Sequence, residues 1–243
     1  MNTSGTGISA LVERQMRAWE LARERSRKEG EAPCAKPVKF YIAISRECGA
    51  SDDAIVPLVV ERTGFQKFDK EILNYMAGED DIRHKLYETL DDRTVGWIED
   101  VASSLTFGPA VGQVEYFKRL SRALLAICHN THAIILGRGA NFVLPRACGL
   151  AVRLVAPEDY RLERYAKATG LDAKEAKRGM RKVDASRSQF IETHFGKYAY
   201  DPRRYDLVVN VAQFGVVEAA DLIVHAARAK AGEELRLPVE SST

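Results

Sequence analysis

Net charge is the first thing this 243-residue chain lacks: 36 Lys and Arg stand against 34 Asp and Glu, a formal balance of +2. A general nucleic-acid binder carries a clear basic excess, and none is present here. The first thirty residues hold no apolar core of a secretory signal, since Leu11-Val12 runs straight into Glu13-Arg14. No run approaches the eighteen or so apolar residues of a membrane span. The longest runs, such as Ala133–Leu136 and Leu207–Val209, are strand-sized. Only four cysteines occur, Cys34, Cys48, Cys128 and Cys148, and their spacing offers no CxxC pair for zinc or dithiol chemistry. The expectation is a cytoplasmic protein with reduced thiols and neither a membrane nor a nucleic-acid partner. His129 and His132 stand three apart with no further His or Cys nearby; a helix C-terminus and a metal pair are the two readings.

What the chain does have is a core. Hydrophobic residues make up 46% of it, enough for a large globular domain. Residues 8–28 read as an amphipathic helix: Ile8, Leu11, Val12, Met16 and Trp19 share one face, with Glu13, Arg14, Arg17, Glu20 and Arg23 on the other. That apolar face suits packing on the domain or on a partner or second subunit. Gly30, Pro33 and Pro37 then mark a linker, so residues 1–37 form an extension, 38–231 the main domain and 232–243 a tail. Within the main domain, strands are expected at 40–44, 65–68, 133–136, 150–155 and 207–211. Helices are expected at 52–63, after Asp69, near 80–90 and 93–104, and over 114–129, 158–168, 172–195 and 216–231, with a loop at 105–112. Strands separated by helices predict an α/β fold, a parallel sheet with helices on both faces.

Ligands in such a sheet bind beyond the carboxyl ends of the strands. The first strand runs into Ser45-Arg46-Glu47-Cys48-Gly49-Ala50-Ser51-Asp52-Asp53, where a phosphate-cradling loop belongs. The G-x-x-x-x-G-K-[ST] pattern is absent, and Asp52-Asp53 is also what a helix start uses as a cap. Gly137-Arg138-Gly139 follows another strand directly. A guanidinium fixed between glycines can fork onto phosphate, or it can pair with a carboxylate in a turn. Lys177–Arg187 clusters Arg178, Arg181 and Arg187 around Asp184 without forming one strict helical stripe. Such a segment suits a lid over transferring phosphates, or simply a solvated helix face.

These pieces occur in a set order. Phe68-Asp69-Lys70-Glu71-Ile72-Leu73 follows the first strand–loop–helix and precedes Gly137-Arg138-Gly139. Val152–Pro157 with Glu158, Arg161 and Arg164, then the arginine-rich helix, then Tyr205-Asp206-Leu207-Val208-Val209-Asn210 complete it. Over about residues 38–230 the series resembles the cytidylate kinase-like family of P-loop nucleoside monophosphate kinases. The resemblance implies a core sheet, an NMP-binding lobe near 69–118 and a lid near 169–195. It implies ATP on the loop of Arg46, Gly49, Ala50, Ser51, Asp52 and Asp53, with Mg²⁺ held by Ser51. Asp69 and Lys70 would meet the acceptor nucleotide, and Arg138 would grip its phosphate. Arg178, Arg181 and Arg187 would span donor and acceptor, Arg138, Arg181 and Arg187 acting in catalysis, while Asp184 faces a cytosine nucleotide. Arg161 and Arg164 fit the family pattern and solvated helix positions equally.

The chain departs from the family at the donor loop. Relatives show a Gly-Ser-Gly-Gly-Arg type loop; here Gly49 is followed by Ala50-Ser51-Asp52-Asp53. One like charge about 4 Å from a phosphate costs about 4 kcal/mol at an effective dielectric near 20. Two functions therefore compete: ATP-dependent phosphorylation of a nucleoside monophosphate, CMP or dCMP, and a pseudokinase-like module that binds nucleotide without turnover. A third reading makes Cys48 a redox thiol beside a helix N-terminus, against burial as an inert one.

Overall fold

The computed structural model describes residues 7–14, 16–17, 19, 21, 38–79, 81–82, 84–85, 90, 92–104, 111–196 and 200–232. The linker at 30–37, loop residues 105–110 and nearly all of the tail lie outside the described residues. Five strands, β1 (Tyr41–Arg46), β2 (Gln66–Phe68), β3 (Ala133–Leu136), β4 (Gly149–Val155) and β5 (Leu207–Asn210), form one sheet. Every pairing is parallel, in the order β2-β3-β1-β4-β5. The helices are α1 (7–14, helical again at 16, 17, 19 and 21), α2 (Asp52–Thr63), α3 (Lys70–Gly78), α4 (Asp92–Ser104) and α5 (Val111–Asn130). They continue with α6 (Ala140–Val143), α7 (Glu158–Thr169), α8 (Ala173–Phe195), α9 (Val211–Phe214) and α10 (Val216–Ala231).

Side chains of a strand alternate between faces, so a strand buried on both reads as an unbroken apolar run. In β1, Tyr41 and Ala43 enter a core with α1, α3 and α5, while Ile42 and Ile44 enter a second core with α2 and α10. The result is the three-layer α/β/α arrangement that the strand–helix alternation predicts. Val12, Met16 and Trp19 are buried in the first core, and the Trp19 ring lies 6.4 Å from that of Phe68. The apolar face of the N-terminal helix is thus covered by the chain's own domain. No helix among the described residues is long and apolar enough to cross a membrane.

Boundaries shift where caps decide them. β5 ends at Asn210, not 211, because the Asn210 side chain accepts the Ala212 N–H at 3.3 Å and starts α9. α5 begins at Val111, inside the segment expected to be loop. The helix expected over 80–90 is seen as helical backbone at 81–82 and 84–85. His129 lies in the last turn of α5, and His132 stacks on Phe65 at 5.0 Å with its Nδ1 at 3.1 Å from the Phe40 carbonyl oxygen.

Asp206 stitches the edge strand in place. Its carboxylate accepts the Ala151 N–H at 2.8 Å, Lys230 Nζ at 2.6 Å and Arg146 Nη2 at 3.2 Å. Burial alone would raise this carboxyl, but Lys230, the Ala151 N–H and Arg146 together hold it below its ordinary value. A depressed folded-state value adds stability above the unfolded carboxylate pKa, and that stability is lost as pH falls through the folded value. Asp206→Asn is therefore expected to cost about 1 kcal/mol near pH 7, reduced by solvent at this partly exposed cluster. Urea unfolding of both proteins as pH is lowered checks this: the gap should narrow as pH falls below the unfolded carboxylate value, and a gap constant with pH contradicts it.

Candidate functional site

β1 lies between β3 and β4, and the carboxyl ends of β1 and β3 open into a cavity of about 490 Å³. Its floor is Ala43, Ile44, Ser45 and Arg46 of β1 with Leu136 of β3. Lys70 and Glu71 in the first turn of α3 form one wall, and Lys182, Val183, Ser186, Arg187, Phe190 and Ile191 of α8 form another. Tyr200 and Tyr205 close the side. Lys70, Arg46, Arg138, Lys182 and Arg187 face this space against one carboxylate, Glu71.

Gly137-Arg138-Gly139 carries the chain out of β3 with three successive positive φ values, 74°, 54° and 67°. Left-handed backbone is costly for arginine, and such strain persists where the surroundings enforce it. Here an aromatic cluster does so. Phe195 lies against Gly139 so closely that a Cβ there would overlap its ring. Phe190 lies under Arg138, whose Cζ is 4.7 Å from the ring centroid. His194 stacks on Phe117 at 4.8 Å, and burial followed by the Arg138 charge pushes its pKa down, so a neutral ring fills the cluster. Arg138 forms no ion pair among the described residues, and its buried Nε has no hydrogen-bond partner. The carboxylate-paired turn that Gly-Arg-Gly also permitted is not the one formed.

The α8 arginines separate by face. Arg187 reaches the cavity and donates from Nη1 to the Arg46 carbonyl oxygen at 3.2 Å. Burial first, then the neighbouring Arg46 guanidinium, pushes Arg187 below its ordinary pKa. Arg178 is exposed, and Arg181 pairs with Glu158 at 3.0 Å on the outer surface. Positions 182, 183, 186, 187, 190 and 191 form the helical stripe that faces inward, which leaves 178 and 181 outside the cavity.

The loop after β1 is closed on the protein's own groups. The Cys48 N–H donates to Asp184 Oδ1 at 2.7 Å, and Asp184 Oδ2 accepts Arg161 Nη1 at 2.6 Å. Gly49, at φ 80°, runs so tightly over the Arg161 carbonyl that a side chain would overlap it. Ala50 and Ser51 are buried, and Ser51 Oγ shares a 2.9 Å hydrogen bond with the Tyr160 hydroxyl. Ser51, not an aspartate, is the N-cap of α2 and makes no side-chain cap bond. Asp52 and Asp53 follow in the first turn, where the helix dipole favours them. Asp52 Oδ2 accepts Arg46 Nε at 2.7 Å, whereas Asp53 is 71% exposed with Arg164 at 3.7 Å. The charge of Asp52 is therefore answered within the protein.

Asp69 caps α3, accepting the Ile72 N–H at 3.1 Å, while its neighbour Lys70 faces the cavity. Asp184 is held between the loop after β1 and Arg161. Of the two readings of Arg161, a family-pattern residue and a solvated helix position, the solvated one fails: the side chain also donates to the Ala156 and Cys48 carbonyl oxygens and lies 3.4 Å from Glu47. Phe190, Lys182 and Tyr200 were hidden, since only the inward stripe of α8 and the stacking of Tyr200 on Arg153 at 4.3 Å bring them to the site. Burial pushes the Cys48 thiol up, with Arg187 opposing in part, so a helix-activated thiolate is not formed there.

Mg²⁺ at Ser51 does not fit this arrangement, because the residue is 1% exposed and its hydroxyl is bonded to Tyr160 while Asp52 is paired with Arg46. Among the described residues no three His, Cys, Asp or Glu side chains gather to hold a metal. The aromatic clamp is directly testable. Gly139→Ala is expected to cost roughly 2 kcal/mol or more through overlap with Phe195 and a disfavoured φ. Thermal unfolding measures it, and an unchanged midpoint would show that the clamp does not fix this loop.

The model of the cytidylate kinase-like family matches residues 41–213. Among solved structures, an uncharacterized protein from Eubacterium ventriosum superposes with a TM-score of 0.54 at 20% identity, covering 77% of this chain and 97% of that chain. That likeness is one of fold. A shikimate kinase from Acinetobacter baumannii, in complex with shikimate, gives a TM-score of 0.40 at 14% identity over 77% of this chain and 92% of that one. A comparison with curated proteins returns no match. The family match runs from β1 into α9 and takes in every residue that lines the cavity; the chain belongs to the cytidylate kinase-like family.

Proposed function

We propose that the protein transfers the γ-phosphoryl group of ATP to the phosphate of a nucleoside monophosphate, with CMP or dCMP as acceptor. The observation that carries this reading is the cation-rich cavity, in which Arg138 and Arg187 have no ion pair among the described residues. Burial and the Arg46 charge outweigh the carboxylates of Asp52 and Asp184 at Arg187, and guanidiniums crowded in this way favour an anionic occupant. A volume of about 490 Å³ is within the range of small-molecule sites. The cytosine base follows from the family rather than from a contact in the cavity.

In this reaction an acceptor phosphate oxygen attacks the γ-phosphorus as the bond from that phosphorus to the β,γ-bridging oxygen breaks. The electron pair leaves with ADP, and the acceptor gains the phosphoryl group. An ionised phosphate carries no proton to remove, so no general base is required. That agrees with a cavity holding a single carboxylate, Glu71. Arg138 would hold the acceptor phosphate, and Arg187 with Lys182 would balance charge on the moving group. Arg178 and Arg181 lie outside the cavity and have no role in this scheme.

One observation favours a second reading, a nucleotide-binding module without turnover. The Cys48 N–H and the Ser51 hydroxyl, both in the donor loop, are engaged by Asp184 and Tyr160. A coupled assay of ADP formation against a panel of nucleoside monophosphates, with ATP and Mg²⁺ supplied, separates the two. Turnover is expected to be fastest with CMP or dCMP, and Arg138→Ala and Arg187→Ala should each lower kcat/KM by about 10²–10³ with the fold retained. No ADP with any monophosphate would leave the module reading; unchanged turnover in both variants would remove these residue roles.

A further inference from the structure

The donor loop lacks the lysine that a standard phosphate-binding loop carries, and an acid begins its helix instead. The structure places a cation at that point from another position. Arg46, the last residue of β1, folds its side chain back so that Nε donates to Asp52 Oδ2 at 2.7 Å, with the two side chains 15% and 22% exposed. Its guanidinium extends over Gly137, where Nη1 lies 2.9 Å from the position a Cβ would take, and it lines the cavity. The absent side chain at Gly137 is what lets it pass. Arg46 thus bridges the start of α2 and the cavity wall beside Arg138, and its carbonyl oxygen takes the hydrogen bond from Arg187.

We infer that Arg46 supplies the cation missing from the donor loop, with Asp52 as the positioning residue that fixes it. This rests on the proposed phosphoryl transfer. A carboxylate on Nε fixes the plane of the guanidinium and leaves the Nη groups as donors. Donors held in place before reaction stabilise developing charge without reorganising. On this view Asp52 is no obstacle to a phosphate, because its charge orients the group that binds one.

The test moves the cation. Turnover with ATP, Mg²⁺ and CMP is compared for wild type, Arg46→Ala, Asp52→Asn and the double variant Arg46→Ala/Asp52→Lys, with circular dichroism melts to confirm folding. Arg46→Ala is expected to lower kcat by about 10²–10³ with the KM for CMP changed far less, and Asp52→Asn by about tenfold. Lysine at 52 begins α2 as the loop lysine would, and should restore at least tenfold of the activity lost. A merely structural ion pair would not respond to relocation of the charge. Should Arg46→Ala fail to fold, Arg46→Gln keeps the side-chain stem and reads the same loss. Wild-type turnover in Arg46→Ala, or a loss that lysine at 52 does not recover, overturns the inference. In that case Arg138→Ala still reports on phosphoryl transfer itself. Absence of turnover in the wild type overturns both.

Discussion

Crowding of like charge at the open end of the sheet is the constraint on which the rest of the site depends. Arg46, Arg138 and Arg187 converge on one cavity, and among the described residues only Arg46 has an ion pair, with Asp52. Arg187 registers the strain, pushed below its ordinary value first by burial and then by Arg46. The surrounding features hold these groups apart and aimed. Gly-Arg-Gly adopts three left-handed residues, Phe190 offers a π face to Arg138, and Phe195 locks Gly139. Cations gathered at such cost in backbone strain are the feature from which the proposed phosphate site is argued.

Helix α8 ties the two halves of the site together. Asp184 holds the loop after β1 through the Cys48 N–H, and Arg187, three residues on and on an adjacent part of the helix face, reaches the cavity. Arg161 completes the connection by bonding Asp184 and the Cys48 carbonyl oxygen at once. A phosphate that used the Cys48 N–H would have to displace Asp184, and a displacement of α8 there would carry Arg187 with it. The loop after β1 and the cavity therefore share one helix.

Much of this was legible in the sequence, and the reasons differ by element. Strands buried on both faces appear as short apolar runs, so β1, β3 and β4 were placed within a residue or two. Gly-Arg-Gly was visible because glycine adopts the left-handed conformations on either side of Arg138 at the least cost. Boundaries set by one cap, such as Asn210, were not. Neither was the sorting of α8 arginines: composition shows a basic helix, but only packing against β1 and β3 decides that 187 points in and 178 and 181 do not. Arg161 stands in the sequence pattern, but its partners Glu47, Cys48 and Asp184 are distant in sequence and the pattern does not show them. The acidic donor loop read as a defect until the Arg46–Asp52 pair supplied its neutralising partner.

The near-neutral total charge conceals a cavity lined by five cationic side chains and one acid. If those cations exist to hold a phosphate, the phosphate and not the nucleoside must dominate affinity. Calorimetric titration of the protein with CMP and, separately, with cytidine measures that difference directly, without requiring turnover. CMP is expected to bind at one saturable site, weakened by added salt, with cytidine at least about 100-fold weaker. Cytidine binding as tightly as CMP would contradict a site organised around Arg138 and Arg187.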